Sequence, residues 1–376
     1  MIYLDNSATT HIDEEILDAM LPWMKDFFGN PSSAYALGRK ARIVIEEARE
    51  EIAASINAHP AELIFTSGGT EANNAILKSA CIESALTDAL AISAIEHHAV
   101  SHPSEWLADQ GFTLKILGVD SRGVLEQYWY ESLPSEKTLI SIMQANNETG
   151  VIQRIDTMRA LIPEQSYIHT DAVQSFGKIP IDVQHLGIDF LSISAHKIHG
   201  PKGIGAMYIR KGIDFKSHQH GGGQERNRRA GTESPALIVG FQIAVRNAIR
   251  ESETRQQHMR YLQECMRALL KEHIPHARIN TPEDSALCLP SIINVSFQHI
   301  NDGEAILQLM DMAGIAVSNG SACVSGSQQP SHVLKALGLS DQEAKAAVRF
   351  SFSKDNTVEH ITEAVLELQQ IIASLS

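Results

Sequence analysis

Basic residues are in deficit: 31 Lys and Arg stand against 45 Asp and Glu, a formal net charge of −14 in 376 residues. Phosphate backbones are bound by clustered cations, so a direct nucleic-acid partner is not expected. The one local cluster, Arg226, Arg228 and Arg229, reads first as a solvated loop or a subunit contact. Long apolar runs are missing too. None reaches the ~18 residues that span a bilayer, and the start, "MIYLDNSATT", lacks a basic region followed by an apolar one. A cytoplasmic protein without membrane contact is expected. Cysteine is scarce: Cys81, Cys265, Cys288 and Cys323 form no CxxC pair and show no zinc spacing with histidine. No metal centre is expected, and free thiols in a reducing compartment follow. Internal repeats and low-complexity tracts are absent.

What is present is an ordinary globular composition, 43% hydrophobic and 20% charged. From about residue 60 to 210, short apolar runs alternate with helical patterns. "ELIFTS", "LAISAIE", "KTLISIM", "SYIHTD" and "DFLSISA" read as strands bounded by turn residues. Stretches such as "TEANNAILKSACIESAL" between them read as helices. This alternation predicts an α/β fold, a mostly parallel central sheet with helices on both faces. From about residue 252 the texture changes. A long amphipathic helix, "TRQQHMRYLQECMRALLKEH", precedes strand-like "PSIINVSF", helical "GEAILQLMDMA", strand-like "IAVSN" and "KAAVRFSFS". The reading is a large α/β domain over residues 14–252, and a smaller α+β domain from residues 1–13 and 253–376 that carries Cys323.

Ligands of such sheets sit at the carboxyl ends of the strands. "LIFTSGGTEANN" is a strand, a glycine turn and a helix start, where the amides of Gly69 and Thr70 offer an anion site or close a plain tight turn. "AISAIEHHAV" ends a strand with Glu96, His97 and His98, where a histidine is a ligand or a structural side chain. "SIMQANNETG" places Asn146 and Asn147 to fix a ligand or to hold an Asx turn. Asp171 and Lys197 end strands at depths where a charge needs a partner, and a buried lysine in such a place often carries a Schiff base. A phosphate cradle, a buried aspartate, a stacking histidine and a Schiff-base lysine together match the needs of pyridoxal 5'-phosphate, whose ring acts as an electron sink when its nitrogen is held protonated. Cys323 differs from the other thiols. "SNGSACVSGSQQPS" is small, polar and loop-forming, the setting of a reactive cysteine, whereas Cys81, Cys265 and Cys288 lie in helical or apolar runs and read as core or near-core.

The chain resembles the cysteine desulfurases of the NifS/IscS type, in the class V aminotransferase branch of fold-type I pyridoxal-phosphate enzymes. The resemblance rests on "YLDNSATT", "FGNPSS", "FTSGGTEANN", "EHHAV", "NNETG", "TDAVQS", "SAHKIHGPKG", "GGGQERNRRAGT", "SNGSACVSG" and "VRFSFS", in that order along nearly the whole chain. It implies that Lys197 binds the cofactor covalently, that His97 stacks on its ring and assists proton transfer, that Asp171 pairs with the pyridinium nitrogen, and that Gln174 bonds the ring oxygen. Gly69, Thr70, Ser194 and His196 would hold the phosphate. Thr232 would reach the phosphate of a neighbouring subunit, which implies a homodimer. Asn147 would contact cofactor or substrate, and Arg349 would grip the substrate carboxylate. Cys323 would take sulfur from L-cysteine as a persulfide, releasing L-alanine, and pass it to an acceptor protein.

The Cys323 segment is similar to that of the long-loop branch, which donates to an iron–sulfur scaffold or to thiolation relays. The resemblance implies that relatives serving the housekeeping scaffold often continue with a longer tail after the position of Ser376, so acceptors for nitrogenase maturation, DNA phosphorothioation or tRNA thiolation stay open. A selenocysteine lyase, or another β-eliminating enzyme using the same cofactor, is the alternative. Selenide release does not need a protein thiol, so Cys323 discriminates.

Overall fold

The computed structural model describes residues 1–298, 300, 303–319 and 329–375. In chain order it runs β1 (Ile2–Tyr3), α1 (Glu14–Lys25), α2 (Ala36–Ala54), β2 (Leu63–Thr66), α3 (Gly69–Lys78), β3 (Ala89–Ser93), α4 (His98–Asp109), β4 (Thr113–Leu117), β5 (Thr138–Ser141), β6 (Tyr167–Asp171), β7 (Phe190–Ser194) and β8 (Gly205–Ile209). A left-handed turn at Gln224–Asn227 follows. Then come α5 (Pro235–Arg250), α6 (Ser252–His273), β9 (Arg278–Ile279), β10 (Ile292–Ser296), α7 (Gly303–Met312), β11 (Ile315–Ala316), α8 (His332–Ala336), α9 (Asp341–Lys345), β12 (Ala347–Ser351) and α10 (Val358–Leu375).

The central sheet has the order β2-β8-β7-β6-β5-β3-β4. Strands β7, β6, β5, β3 and β4 are mutually parallel, and only β8 runs against its neighbours β7 and β2. The five runs read as strands from sequence are strands here; β4 and β8 complete the sheet. Alternate side chains point to opposite faces. Leu63, Phe65, Ala91, Ile140, Ile168 and Leu191 join the core under α1, α2 and α5. Ile64, Leu90, Ile92, Leu139, Phe190 and Met207 join the one under α3 and α4. Both faces are covered, so these strands read as near-continuous apolar runs.

A separate core packs β10, β12 and the inner faces of α6, α7 and α10, with Leu4 from the start of the chain. In α6 the buried residues Met259, Leu262, Gln263, Met266 and Leu270 repeat at helical spacing. Two smaller clusters join this part to the central sheet: Ile95, Val119, Met143 and Val151 pack on Val333, Leu334 and Leu337, and Ala145 packs on Leu289 and Ile292. Cys81 and Cys288 are buried and Cys265 is half-buried. Burial pushes the Cys81 thiol up to about 11.

The first residues tie the parts together. β1 pairs parallel with β11, the Ser351 amide donates to Leu4 O (2.7 Å), and the Thr10 amide donates to His196 O (3.0 Å). Residues 1–13 therefore run from β11 and β12 to the turn that carries Lys197.

In the arginine-rich segment two of the three side chains are ion-paired, and Arg228 donates to Ala61 O (3.4 Å). Arg229 pairs with Glu71 through two contacts (2.8 and 3.2 Å), and Arg226 lies 3.4 Å from Glu46. Glu225, Arg226 and Asn227 all have positive φ (45°, 59° and 62°), at about 1–2 kcal/mol per residue. Buried Glu225 anchors the turn. It pairs with both terminal nitrogens of buried Arg49 (2.7 and 2.9 Å) and accepts the Phe65 amide (2.9 Å).

Candidate active site

The site forms where strands β2, β3, β5, β6 and β7 end. After β2 the backbone turns at Gly68, whose φ of +152° favours glycine, straight into α3. A Cβ on Gly69 would stand 2.5 Å from the Val173 side chain at Cγ2, and one on Gly205 2.8 Å from Gly68 Cα, so the backbone at Gly68 and Gly205 approaches this closely only with glycine at 205. No side chain caps the start of α3. Its first amides, with the positive end of the helix dipole, suit an anion. Ser194 Oγ, at the end of β7, is the nearest atom to a Cβ built on Gly68 (3.8 Å), and it is buried without a hydrogen-bond partner. A buried hydroxyl left unpaired beside an open helix start fits a phosphate group.

Asp171 closes β6. Asn73 Nδ2 donates to one of its oxygens (2.7 Å) and the Val173 amide to the other (2.9 Å). Among the described residues it has no ion-pair partner within salt-bridge distance, although it is buried. A carboxylate oriented in this way fits a protonated ring nitrogen in the cleft.

Lys197 follows β7 on the tight turn Ala195–Lys197. Its Nζ donates to Ser7 O and to Ala8 O (2.7 Å). Burial pushes its pKa down to about 7, Lys178 and Arg349 push the same way, and Asp5 and Asp171 oppose them. A substantial fraction of the amine is then neutral near pH 7, as covalent chemistry at nitrogen requires. Next to it, His196 Nδ1 lies 3.1 Å from Thr9 Oγ1, and burial lowers its pKa to about 4.

His97 is the N-cap of α4: its Nδ1 accepts the Ala99 amide at 3.0 Å. That bond leaves Nε2 as the protonated nitrogen of the neutral ring. Burial lowers its pKa, and the Asp171 charge works against that shift. Buried Asn146 turns out to be a turn residue: its Oδ1 accepts the Glu148 and Thr149 amides (both 2.9 Å), and its Nδ2 donates to Ile95 O. Asn147 faces the cleft instead.

Arg349 projects from β12 with 4% of its side chain exposed. Its Nη1 donates to Asn147 O (2.8 Å), its Nη2 pairs with Asp5 Oδ1 (2.6 Å), and its buried Nε has no partner. Ser318 Oγ donates to the same Asp5 oxygen (3.0 Å), and the Arg349 amide donates to Ser318 O (2.6 Å).

These groups line one cleft of about 490 Å³. Of the residues singled out from sequence, Gly69, Thr70, His97, Asn147, Asp171, Gln174, His196, Lys197 and Arg349 line it. Ser194 stands behind the glycine turn. Thr232 is exposed and outside this cleft. Cys323 lies outside the described residues. Gln174 is already engaged, its Nε2 on Ser7 O (2.8 Å) and its Oε1 accepting from Lys178 (3.1 Å).

Sequence reasoning did not assign roles to Asp5, Asn73, Glu96, Glu148 and His332, which line the same cleft. Glu96 accepts from Ser93 Oγ (2.6 Å) and the Met143 amide (2.7 Å), and burial raises its pKa to about 8. Glu148 accepts from Ser331 Oγ, and burial raises its pKa too. His332 lies with Nε2 2.9 Å from Glu96 O. The available signal was position: Asp5 lies in "YLDNSATT" and Glu148 in "NNETG", both quoted as motifs.

Residues 2–363 match the family described as aminotransferase class-V. The cysteine desulfurase IscS of Dictyoglomus turgidum is 42% identical over 377 aligned residues, covering 100% of this chain and 95% of that protein. The cysteine desulfurase NifS of Azotobacter vinelandii is 40% identical, covering 100% of this chain and 93% of its own. A solved structure of a NifS-like protein superposes with a TM-score of 0.91 at 37% identity, over 100% of both chains. The chain belongs to the aminotransferase class-V family, among its cysteine desulfurases of the NifS and IscS type.

Proposed function

We propose that this chain is a pyridoxal-5'-phosphate-dependent cysteine desulfurase. It converts L-cysteine to L-alanine and leaves the sulfur as a persulfide on Cys323 for transfer to an acceptor protein of iron–sulfur assembly or thio-modification. The observation that carries the proposal is Lys197, on the turn that ends β7, lining the same cleft as Asp171, His97 and Arg349. When bound, the cofactor supplies an electron sink that makes bonds at the substrate's α-carbon and the adjoining Cβ–S bond labile.

The chain's residues do the rest. Gly69, Thr70, Ser194 and His196 would hold the cofactor's phosphate, Asp171 would keep its ring nitrogen protonated, and Gln174, whose Nε2 has a second hydrogen beside the one on Ser7 O, would meet its ring oxygen. Lys197 Nζ would hold the cofactor covalently, and it is the group placed to move the substrate's Cα proton. His97, with Nδ1 fixed on the Ala99 amide, would stack on the cofactor and move protons at Nε2. Arg349 and Asn147 orient the substrate through its carboxylate. The Cys323 thiolate attacks the substrate sulfur. An S–S bond forms, the Cβ–S bond breaks, its electron pair stays with the three-carbon fragment, and that fragment leaves protonated as L-alanine.

The proposal includes a homodimer, with Thr232 reaching the partner's phosphate site. In support, Leu17, Leu21, Met24 and Phe28 are exposed at i, i+4, i+7 and i+11 along and just beyond α1. Residues 14–252 form the cofactor-binding domain and residues 1–13 with 253–376 the smaller one, a division supported by their separate main cores. A cytoplasmic location belongs to the same reading; among the described residues no helix is long and apolar enough to cross a membrane. The test is Lys197→Ala. It should lose both the cofactor's visible absorption band and alanine formation from L-cysteine. Turnover retained by that variant overturns the assignment.

A further inference from the structure

Behind the turn that carries Lys197, three side chains distant in sequence converge outside the cleft. His11 Nδ1 lies 3.7 Å from Asp355 Oδ2, and His199 Nδ1 lies 4.0 Å from the same oxygen. The three ligand atoms all fall within 4.8 Å of one another. The imidazole rings meet edge to face, centroids 5.1 Å apart at 78°.

Two features separate this cluster from a chance surface contact. His199 is 4% exposed, and its Nδ1, turned to this point, is a buried polar atom without a hydrogen-bond partner. The backbone also holds His199 in place at a φ of +67°, which a non-glycine residue seldom adopts. Its amide donates to Thr10 Oγ1 (2.8 Å), and its carbonyl accepts the Asp13 amide (3.2 Å).

We propose that His11, His199 and Asp355 form a site for one borderline divalent cation of the zinc class. Two imidazoles and a carboxylate suit Zn²⁺, Co²⁺ or Ni²⁺ and leave a position open for water. At metal–ligand distances near 2.0–2.1 Å, tetrahedral ligand atoms stand about 3.4 Å apart. The present separations, 3.7 and 4.0 Å to Asp355 and up to 4.8 Å within the set, need about 0.3 to 1.4 Å of closure, and His11 and Asp355 are exposed. Asp13 supports the site from behind. Its Oδ1 is 3.8 Å from His11 Nε2, where a metal-bound histidine is commonly oriented by a carboxylate, and 3.7 Å from His199 Nδ1, and its Oδ2 is fixed by Lys354 (2.8 Å). The ion would pin together residues 7–13, whose Ser7 and Ala8 carbonyls hold Lys197, the 196–199 turn, and the segment following β12. This inference is independent of the reaction assigned to the cleft.

The test is calorimetric titration of the holoenzyme with ZnCl₂, in a Cys323→Ser background that removes the reactive thiol as a competing ligand. One ion per chain is expected. Its affinity should fall about tenfold or more in His11→Ala and in Asp355→Asn. Both positions are exposed, and retention of the cofactor band verifies folding. No zinc uptake by the Cys323→Ser protein, or unchanged affinity in either variant, overturns the site.

Discussion

Replacing Arg349 by Gln tests how the substrate is held. The guanidinium sits at the cleft with one terminal nitrogen on Asn147 O and the other on Asp5 Oδ1, and with Nε unpaired. A charge-assisted hydrogen bond contributes about 1.5–3 kcal/mol. Each 1.4 kcal/mol is a factor of ten, so Arg349→Gln should raise KM for L-cysteine about 10- to 100-fold. The change should fall on KM far more than on kcat, because the carboxylate is bound alike before and during reaction. The same substitution also strips Asp5 of its cation, and Asp5→Asn controls for that: Arg349 keeps its charge, and the rise in KM should stay under about tenfold. Alanine formation would be followed for L-cysteine. Binding of 2-aminoethanethiol, the analogue lacking the carboxylate, would be followed by its perturbation of the cofactor spectrum. The analogue should bind the two enzymes alike. An unchanged KM for L-cysteine, or an equal loss for the analogue, refutes the assignment of Arg349 to the substrate carboxylate.

Two further outcomes concern the scaffold. Glu225→Gln takes the two-point carboxylate partner from buried Arg49, leaving it a 3.3 Å contact to Glu46, and should lower unfolding stability by about 3 kcal/mol, read as a shift of the urea midpoint. The apolar double replacement Arg49→Met/Glu225→Leu should recover part of that loss, and wild-type stability in the single variant contradicts the role of the pair. His169 is buried between Ser141 Oγ (2.8 Å) and Ser192 Oγ (3.1 Å), and burial pushes its pKa down to about 3. The unfolded chain takes up that proton near pH 6.5 while the folded one does not, so stability is lost as pH falls from about 6.5 toward 3. The slope is about 1.4 kcal/mol per pH unit for this group. Urea midpoints at pH 7, 6 and 5 should show it, and His169→Gln should flatten the slope by one proton; an equal slope in that variant refutes this source.

Much of the site could be read in the sequence because a parallel sheet buried on both faces is written as apolar runs, and the residue that ends each run is where a ligand lies. Asp171 and Lys197 stood out by that logic alone, as charges at depth. β4 was harder to see, since "TLKIL" at an edge carries a lysine and is only partly buried. β8 was masked by the glycine and proline turn before it. Asn146 and Asn147 looked alike in sequence, and only the fold shows that one closes an Asx turn while the other faces the cleft. Asp5 was invisible as a partner of Arg349 because 344 residues separate them and no local pattern joins β1 to β12. The same holds for His11, His199 and Asp355, whose spacing resembles no metal motif. The left-handed turn at residues 225–227 contains no glycine, so only the buried Arg49–Glu225 pair accounts for it.

The central claim is that sulfur leaves L-cysteine for the Cys323 thiol. The direct measurement is mass analysis of the holoenzyme after one turnover with sulfur-labelled L-cysteine. One labelled sulfur atom should appear on the peptide carrying Cys323, with an equivalent of alanine released, and none on Cys323→Ser protein that still shows the cofactor band. Label on Cys81, Cys265 or Cys288, or protein-bound label persisting in Cys323→Ser, would contradict it.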